Sequence, residues 1–229
     1  SVRLLNAIKQ LLAEYELSNC ASYIVVGNGS WLYDVKSGRD LHFQALSQVE
    51  LVDLNDVIQR FVFDHHYFSR DVILSTQQPF SEYTRFESSL FGLPLIYEPF
   101  EQALNQTILK ISLVGDKGTL DKKLSLLPAN VYNNFQAVRT ADNYFEIMKK
   151  GSSKGGGLQF IAEKEGILPA EVIAVGDHEN DISMIHYAGL GVAMGNASER
   201  LKECADSVTS SNNEDGAAEV IEHHILNGR

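Results

Sequence analysis

The sequence predicts an α/β fold: a parallel, doubly wound core interrupted by a mixed α+β insert. Three observations carry this. From Lys154 onward, strand-length apolar runs alternate with helical patterns, the βαβα order that builds a parallel sheet. Within that half, the apolar run from Val172 to Val175 is unbroken by charge and ends in Gly176, so it reads as a strand buried on both faces. Residues 45–148 differ in texture, mixing helices and strands over about the size of a small domain. The core is therefore assigned to residues 1–44 and 149–229, and the insert to 45–148.

The elements run in order along the chain. Residues 2–16 read as an amphipathic helix, with Val2, Leu5, Ile8 and Leu12 at helical spacing and only Ser1 available as a cap. Tyr23-Ile24-Val25-Val26 is a buried strand, and Gly27-Asn28-Gly29 turns the chain. Trp31–Asp34 and Asp40–Phe43 form a hairpin across Lys36-Ser37-Gly38. In the insert, 52–63 and 81–91 are helices, the second ended by Gly92-Leu93-Pro94. Residues 72–75 and 108–114 are strands, 118–127 is a helix stopped by Pro128, and 134–139 and 144–148 are two more strands. Helices 154–165, 181–188, 198–204 and 215–226 then alternate with strands 171–175, 190–194 and 206–209.

Bulk properties narrow the function. The 229 residues are 44% hydrophobic and 21% charged, values ordinary for a soluble globular protein. A formal charge of -11 argues against a nucleic-acid partner, because phosphate backbones need a basic face. No apolar stretch is long enough to span a bilayer, and no signal peptide is visible, so no membrane partner is expected. Cys20 and Cys204 stand apart from any CxxC pattern, and a cytoplasmic location is the simplest expectation.

The chemistry is expected in Gly176-Asp177-His178-Glu179-Asn180-Asp181. Ligands of open α/β sheets bind at the carboxyl ends of strands. Three carboxylates gathered there need a cation or protons to offset their repulsion, and hard oxygen ligands favour Mg²⁺. Asp177 reads as a metal ligand, against the plainer reading of a loop aspartate that caps a helix. Asp181 fits two roles equally: N-cap of the next helix, or a group that orients Asp177 or a metal-bound water. Asn180 can donate its amide to an anion or cap the helix. Glu179 reads as solvated and His178 as an exposed loop histidine, since neither CxxC nor HxxxH accompanies it.

Gly151-Ser152-Ser153-Lys154-Gly155-Gly156-Gly157 opens a helix, and a helix start with a lysine is an anion site. The alternative is a flexible hinge between insert and core. Gly195-Asn196-Ala197 reads as a strand-to-helix turn. The adjacent pairs His65-His66 and His223-His224 are poor metal pairs, and no GxSxG elbow is present.

Taken together, Tyr144–Ile147, Ser153-Lys154-Gly155, Gly176–Asp181, Ala193–Ala197 and Asn213–Gly216 resemble the Cof-type phosphatases of the haloacid dehalogenase superfamily. Gly27-Asn28-Gly29 extends the match over most of the chain. The resemblance implies a Rossmann-like core with a C2-type α+β cap, and Mg²⁺-dependent hydrolysis of small phosphomonoesters, sugar phosphates or similar. It implies that Lys154 binds phosphate and serves catalysis, that Asp177 ligates Mg²⁺, that Asn180 contacts phosphate, and that Asp181 is the supporting catalytic acid.

One part of the pattern is missing. The family's nucleophile lies in a DxD motif on its first strand, and this sequence contains no Asp-x-Asp. Residues 1–34 resemble the family's chain downstream of that motif, so an upstream segment of roughly 30 or more residues, about a βαβ unit, is expected in the intact protein. The resemblance implies attack by that aspartate to form an aspartyl-phosphate. The 229-residue chain alone is expected to be inactive. Two rivals share the core: a non-catalytic phosphometabolite sensor, and a phosphomutase.

Overall fold

The computed structural model describes residues 5–226, so the Ser1 cap and Val2 lie outside the described residues. The chain divides into two compact units between Ser152 and Ser153.

The first unit opens with α1 (Leu5–Glu14), then the antiparallel meander β1 (Tyr23–Val26), β2 (Trp31–Asp34) and β3 (Arg39–Phe43). Leu5, Ile8 and Leu12 pack on Ile24, Val26 and Trp31, which is what their spacing predicts. Between β1 and β2, Gly27, Asn28 and Gly29 all take positive φ, at 52°, 52° and 98°. Glycine and asparagine are the residues that tolerate this region best.

The rest of the unit is α2 (Gln48–Phe61), β4 (Asp64–Phe68), β5 (Ile73–Ser75), α3 (Glu82–Phe91), β6 (Leu95–Tyr97), α4 (Phe100–Ala103), β7 (Lys110–Val114), α5 (Lys117–Leu124), α6 (Ala129–Asn134), β8 (Phe135–Ala141) and β9 (Tyr144–Lys149). The six strands pair in the order β6-β5-β4-β7-β9-β8, antiparallel except for β5 with β6. Ser47 and Glu50 close a capping box on α2, Ser81 caps α3, and Gly92 ends α3 in the left-handed conformation. Leu51, Leu54 and Ile58 of α2, with Leu120 and Val131, cover one face of the sheet through Tyr67, Ile111, Leu113, Phe145 and Ile147.

Strand β4 escapes the sequence reading because Asp64-His65-His66 looks like a polar loop. Both histidines are buried instead: His65 bonds Thr76, and His66 bonds Thr84 and lies against the Glu87 carboxylate of α3. β6, α4 and α6 are too short to show a period.

The second unit is α7 (Lys154–Glu165), β10 (Ile173–Gly176), α8 (Ile182–Tyr187), β11 (Leu190–Ala193), α9 (Glu199–Cys204), β12 (Ser207–Val208) and α10 (Gly216–Ile221). Its sheet is parallel, in the order β10-β11-β12, as the alternation predicts. Two ends differ from expectation. Pro169–Glu171 forms a 3-10 turn, which delays the strand to Ile173, and α10 gives way at Glu222 to a π-helical turn. Ala174, Ile185, Ala193, Met194 and Leu201 form the core. Among the described residues no helix is long and apolar enough to cross a membrane. Cys20 and Cys204 are both free thiols.

Candidate active site

Lys154 begins α7 directly after the cap Ser153, whose hydroxyl accepts the Gly156 N–H at 3.0 Å. A cation at this end of a helix opposes the dipole. The conflict is relieved within the protein: the Lys154 ammonium pairs with Oδ1 of Asp181. The pair is well shielded, with side-chain exposures of 18% and 4%. The glycine run is thus helical, not a loop, and Gly155 and Gly157 are buried in it.

Gly155 has a further role. A Cβ there would lie 2.3 Å from the Ser183 carbonyl oxygen, and its N–H donates to Ser183 Oγ at 3.0 Å. Glycine lets α7 close on the start of α8, which brings Lys154 within reach of Asp181. Gly155→Ala should therefore cost about 1–3 kcal/mol in urea unfolding, the range for overpacking a close contact.

Asp181 is not the side-chain cap of the helix that follows it. Its side chain makes no cap bond to α8, and its backbone is already helical at φ -90° and ψ -16°. Instead Oδ2 accepts the N–H groups of Asp177 at 3.1 Å and His178 at 3.2 Å. The carboxylate faces back into the loop that precedes it, and fixes that loop's path. Gly176 is required by the same approach, because a Cβ at Gly176 would lie 2.5 Å from the Asp181 Cβ.

This geometry leaves Asp177 exposed at the carboxyl end of β10. The β11–α9 loop holds it from one side. Ser198 N–H donates to the Asp177 carbonyl at 3.1 Å, and the Asn196 amide donates to Asp177 Oδ2 at 3.4 Å. Asn196 Oδ1 in turn accepts the Asn212 N–H at 2.8 Å, so three loops meet around one carboxylate. Asn180 is half-buried on the 3-10 turn Glu179–Asp181. His178 departs from expectation: it is half-buried, with Nδ1 shielded from solvent. Glu179 lies 3.5 Å from Arg200, a surface contact.

Asn196, Ser198, Asn212 and Ser183 are residues the sequence reading did not place at the site. Asn196 carried a signal, since it comes directly after a glycine at a strand end. Asn212 acts through its backbone N–H and Ser183 through a bond to the Gly155 N–H 28 residues away, and neither carried a signal.

Residues 1–221 match the sequence profile described as haloacid dehalogenase-like hydrolase. The chain belongs to this family. A haloacid dehalogenase-like hydrolase from Bacteroides thetaiotaomicron superposes with a TM-score of 0.83 at 28% identity, over 97% of this chain and 84% of that one. YxeH of Bacillus subtilis, whose name assigns it provisionally to the phosphatases, is 28% identical over 98% of this chain and 83% of its own. The phosphoglycolate phosphatase of Archaeoglobus fulgidus is 49% identical over 78 residues, 34% of this chain and 35% of its own length. The Cof-type membership drawn from the motifs stands, and with it the α/β core and cap. The protein is a phosphoric monoester hydrolase of this family, and its substrates are small phosphorylated compounds.

Proposed function

We propose that this haloacid dehalogenase-like protein is a Mg²⁺-dependent phosphatase of sugar phosphates or similar metabolites, working through an aspartyl-phosphate. The observation that carries the reading is the Lys154–Asp181 pair set beside the exposed carboxylate of Asp177 at a strand's carboxyl end. In this reading residues 1–44 and 149–229 form the core and 45–148 the cap.

Asp177 is the residue that would hold the cation. Among the described residues no three His, Cys, Asp or Glu side chains converge as a metal cage. That fits Mg²⁺, which keeps several waters and needs only one or two carboxylates plus substrate phosphate. When bound, the cation neutralises charge on the phosphoryl oxygens. Lys154 supplies a second positive charge to the same oxygens, preorganised by Asp181 so that little rearrangement is needed. Asn180 would donate its amide to the phosphate. Asp181 keeps the loop N–H groups satisfied and the Asp177 carboxylate aimed outward.

The attacking aspartate of the family has no counterpart among the 229 residues, which contain no Asp-x-Asp. The chain should therefore bind inorganic phosphate or vanadate without turning over p-nitrophenyl phosphate. Lys154→Ala should weaken vanadate binding by about 1.5–3 kcal/mol, the contribution of a hydrogen bond to a charged group. Unchanged vanadate affinity, measured by calorimetry in the variant, would return this helix start to a purely structural role.

A further inference from the structure

A second cluster of charge lies wholly inside the first unit and is independent of the phosphatase reading. His66, Ser112 and Glu146 form one cross-strand row on β4, β7 and β9. His66 Nε2 lies 2.7 Å from Glu87 Oε2 of α3, and Nδ1 lies 3.0 Å from Thr84 Oγ1. Ser112 Oγ donates to the same Glu87 oxygen at 3.4 Å. Glu146 receives the Lys110 ammonium on Oε1 and the Asn28 amide on Oε2, the latter at 2.8 Å. The side-chain exposures of His66, Glu87, Lys110 and Glu146 are 0%, 6%, 0% and 1%.

Buried charges are costly unless paired. Here two carboxylates face one lysine, so the cluster balances only with one additional proton. That proton has three possible homes, Glu146, Glu87 and His66, and the His66 contact at 2.7 Å holds the Glu87 carboxyl in its charged form. Glu146 is a poor one: both its oxygens already receive donors, and an O–H there would meet another donor head-on. Burial raises the Glu146 carboxyl and the Lys110 ammonium offsets only part of that rise, so the case against a proton there rests on the two donors its oxygens already receive. His66 has a carboxylate at contact distance. Its Nε2 approach to Glu87 lies outside hydrogen-bond alignment, so charge rather than alignment carries the contact.

The ionisable groups around His66 are Glu87 from α3, Lys110 from β7, Glu146 from β9 and His65 beside it on β4. Burial holds His65 down to about 4, so it adds no charge near neutrality. Tyr144 is pushed up by burial and then by Glu87, so it also stays neutral.

We propose that His66 is the imidazolium that balances this cluster, and that its proton latches α3 onto the sheet. Loss of the proton leaves a net negative charge sealed under α3 and loosens the helix. Glu82, Tyr83 and Phe86 of α3, with Asn143 and Tyr144, border a cavity of about 350 Å³, so the latch also sets that cavity's shape. Burial raises Glu87 but the His66 contact overcomes it and holds the carboxyl below its ordinary 4.5. The Glu87 contribution is therefore present above 4.5 and lost only as pH falls further.

The test combines ring-nitrogen NMR of the wild-type protein with thermal unfolding of His66→Gln, Glu87→Gln and the double variant. At pH 7 the His66 ring should show two N–H groups. His66→Gln should unfold about 10 °C lower, because a carboxylate is left unbalanced, and adding Glu87→Gln should restore most of that. A His66 ring with a single N–H at pH 7 would overturn the proposal, even if the variants fail to fold. So would a protonated-carboxyl infrared band that disappears in Glu146→Gln, or equal instability of His66→Gln and the double variant.

Discussion

Asp181→Ala should be among the most damaging single substitutions in the second unit, lowering stability by about 3–5 kcal/mol, the range for breaking a buried ion pair. Three groups lose their partner at once: the Lys154 ammonium and the N–H groups of Asp177 and His178. The lysine is mostly buried and cannot fully rehydrate in place. Asp181→Asn should cost less, since an amide oxygen still accepts the two N–H groups. Urea unfolding of both variants checks this, and a loss under about 1 kcal/mol in Asp181→Ala would mean that the loop is held by other contacts.

Lys110→Met should have an effect of similar size in the first unit, about 3–5 kcal/mol, because it strands Glu146 with only an amide donor. The methionine fills most of the lysine's volume, so little of the loss is packing. Two signs identify the cause as charge. Adding Glu146→Gln should recover most of the stability, as replacing both members of a buried pair is often neutral. The deficit of Lys110→Met should also shrink as pH falls, because burial favours uptake of a proton by the stranded carboxyl. A deficit independent of pH and unrelieved by Glu146→Gln would assign it to lost packing.

These two residues also show where a sequence stops being readable. The exposed position of Asp177 could be read because a buried strand ending in glycine fixes where the next side chain emerges. The start of α7 at Lys154 could be found because Ser153 caps it locally. What Asp181 does could not, since its ammonium partner lies 27 residues away and the local pattern fits an N-cap equally well. The buried histidines of β4 failed for the same reason. Polar letters predict exposure unless a partner is known, and the carboxylate that meets His66 comes from another element, α3. Lys110 and Glu146 are 36 residues apart. Periodicity reports which face of an element is covered, but not which buried charges have met.

The central claim is that Asp177 is the cation ligand of a phosphate-handling site arranged by Asp181 and Lys154. Carboxyl-carbon NMR of the protein titrated with Mg²⁺ tests it most directly, with the Asp177 resonance identified by its loss in Asp177→Ala. The account predicts a saturable shift of that resonance, strengthened by inorganic phosphate and absent in the variant. A titration in which Mg²⁺ moves other carboxylates and leaves Asp177 unchanged, with or without phosphate, would contradict it.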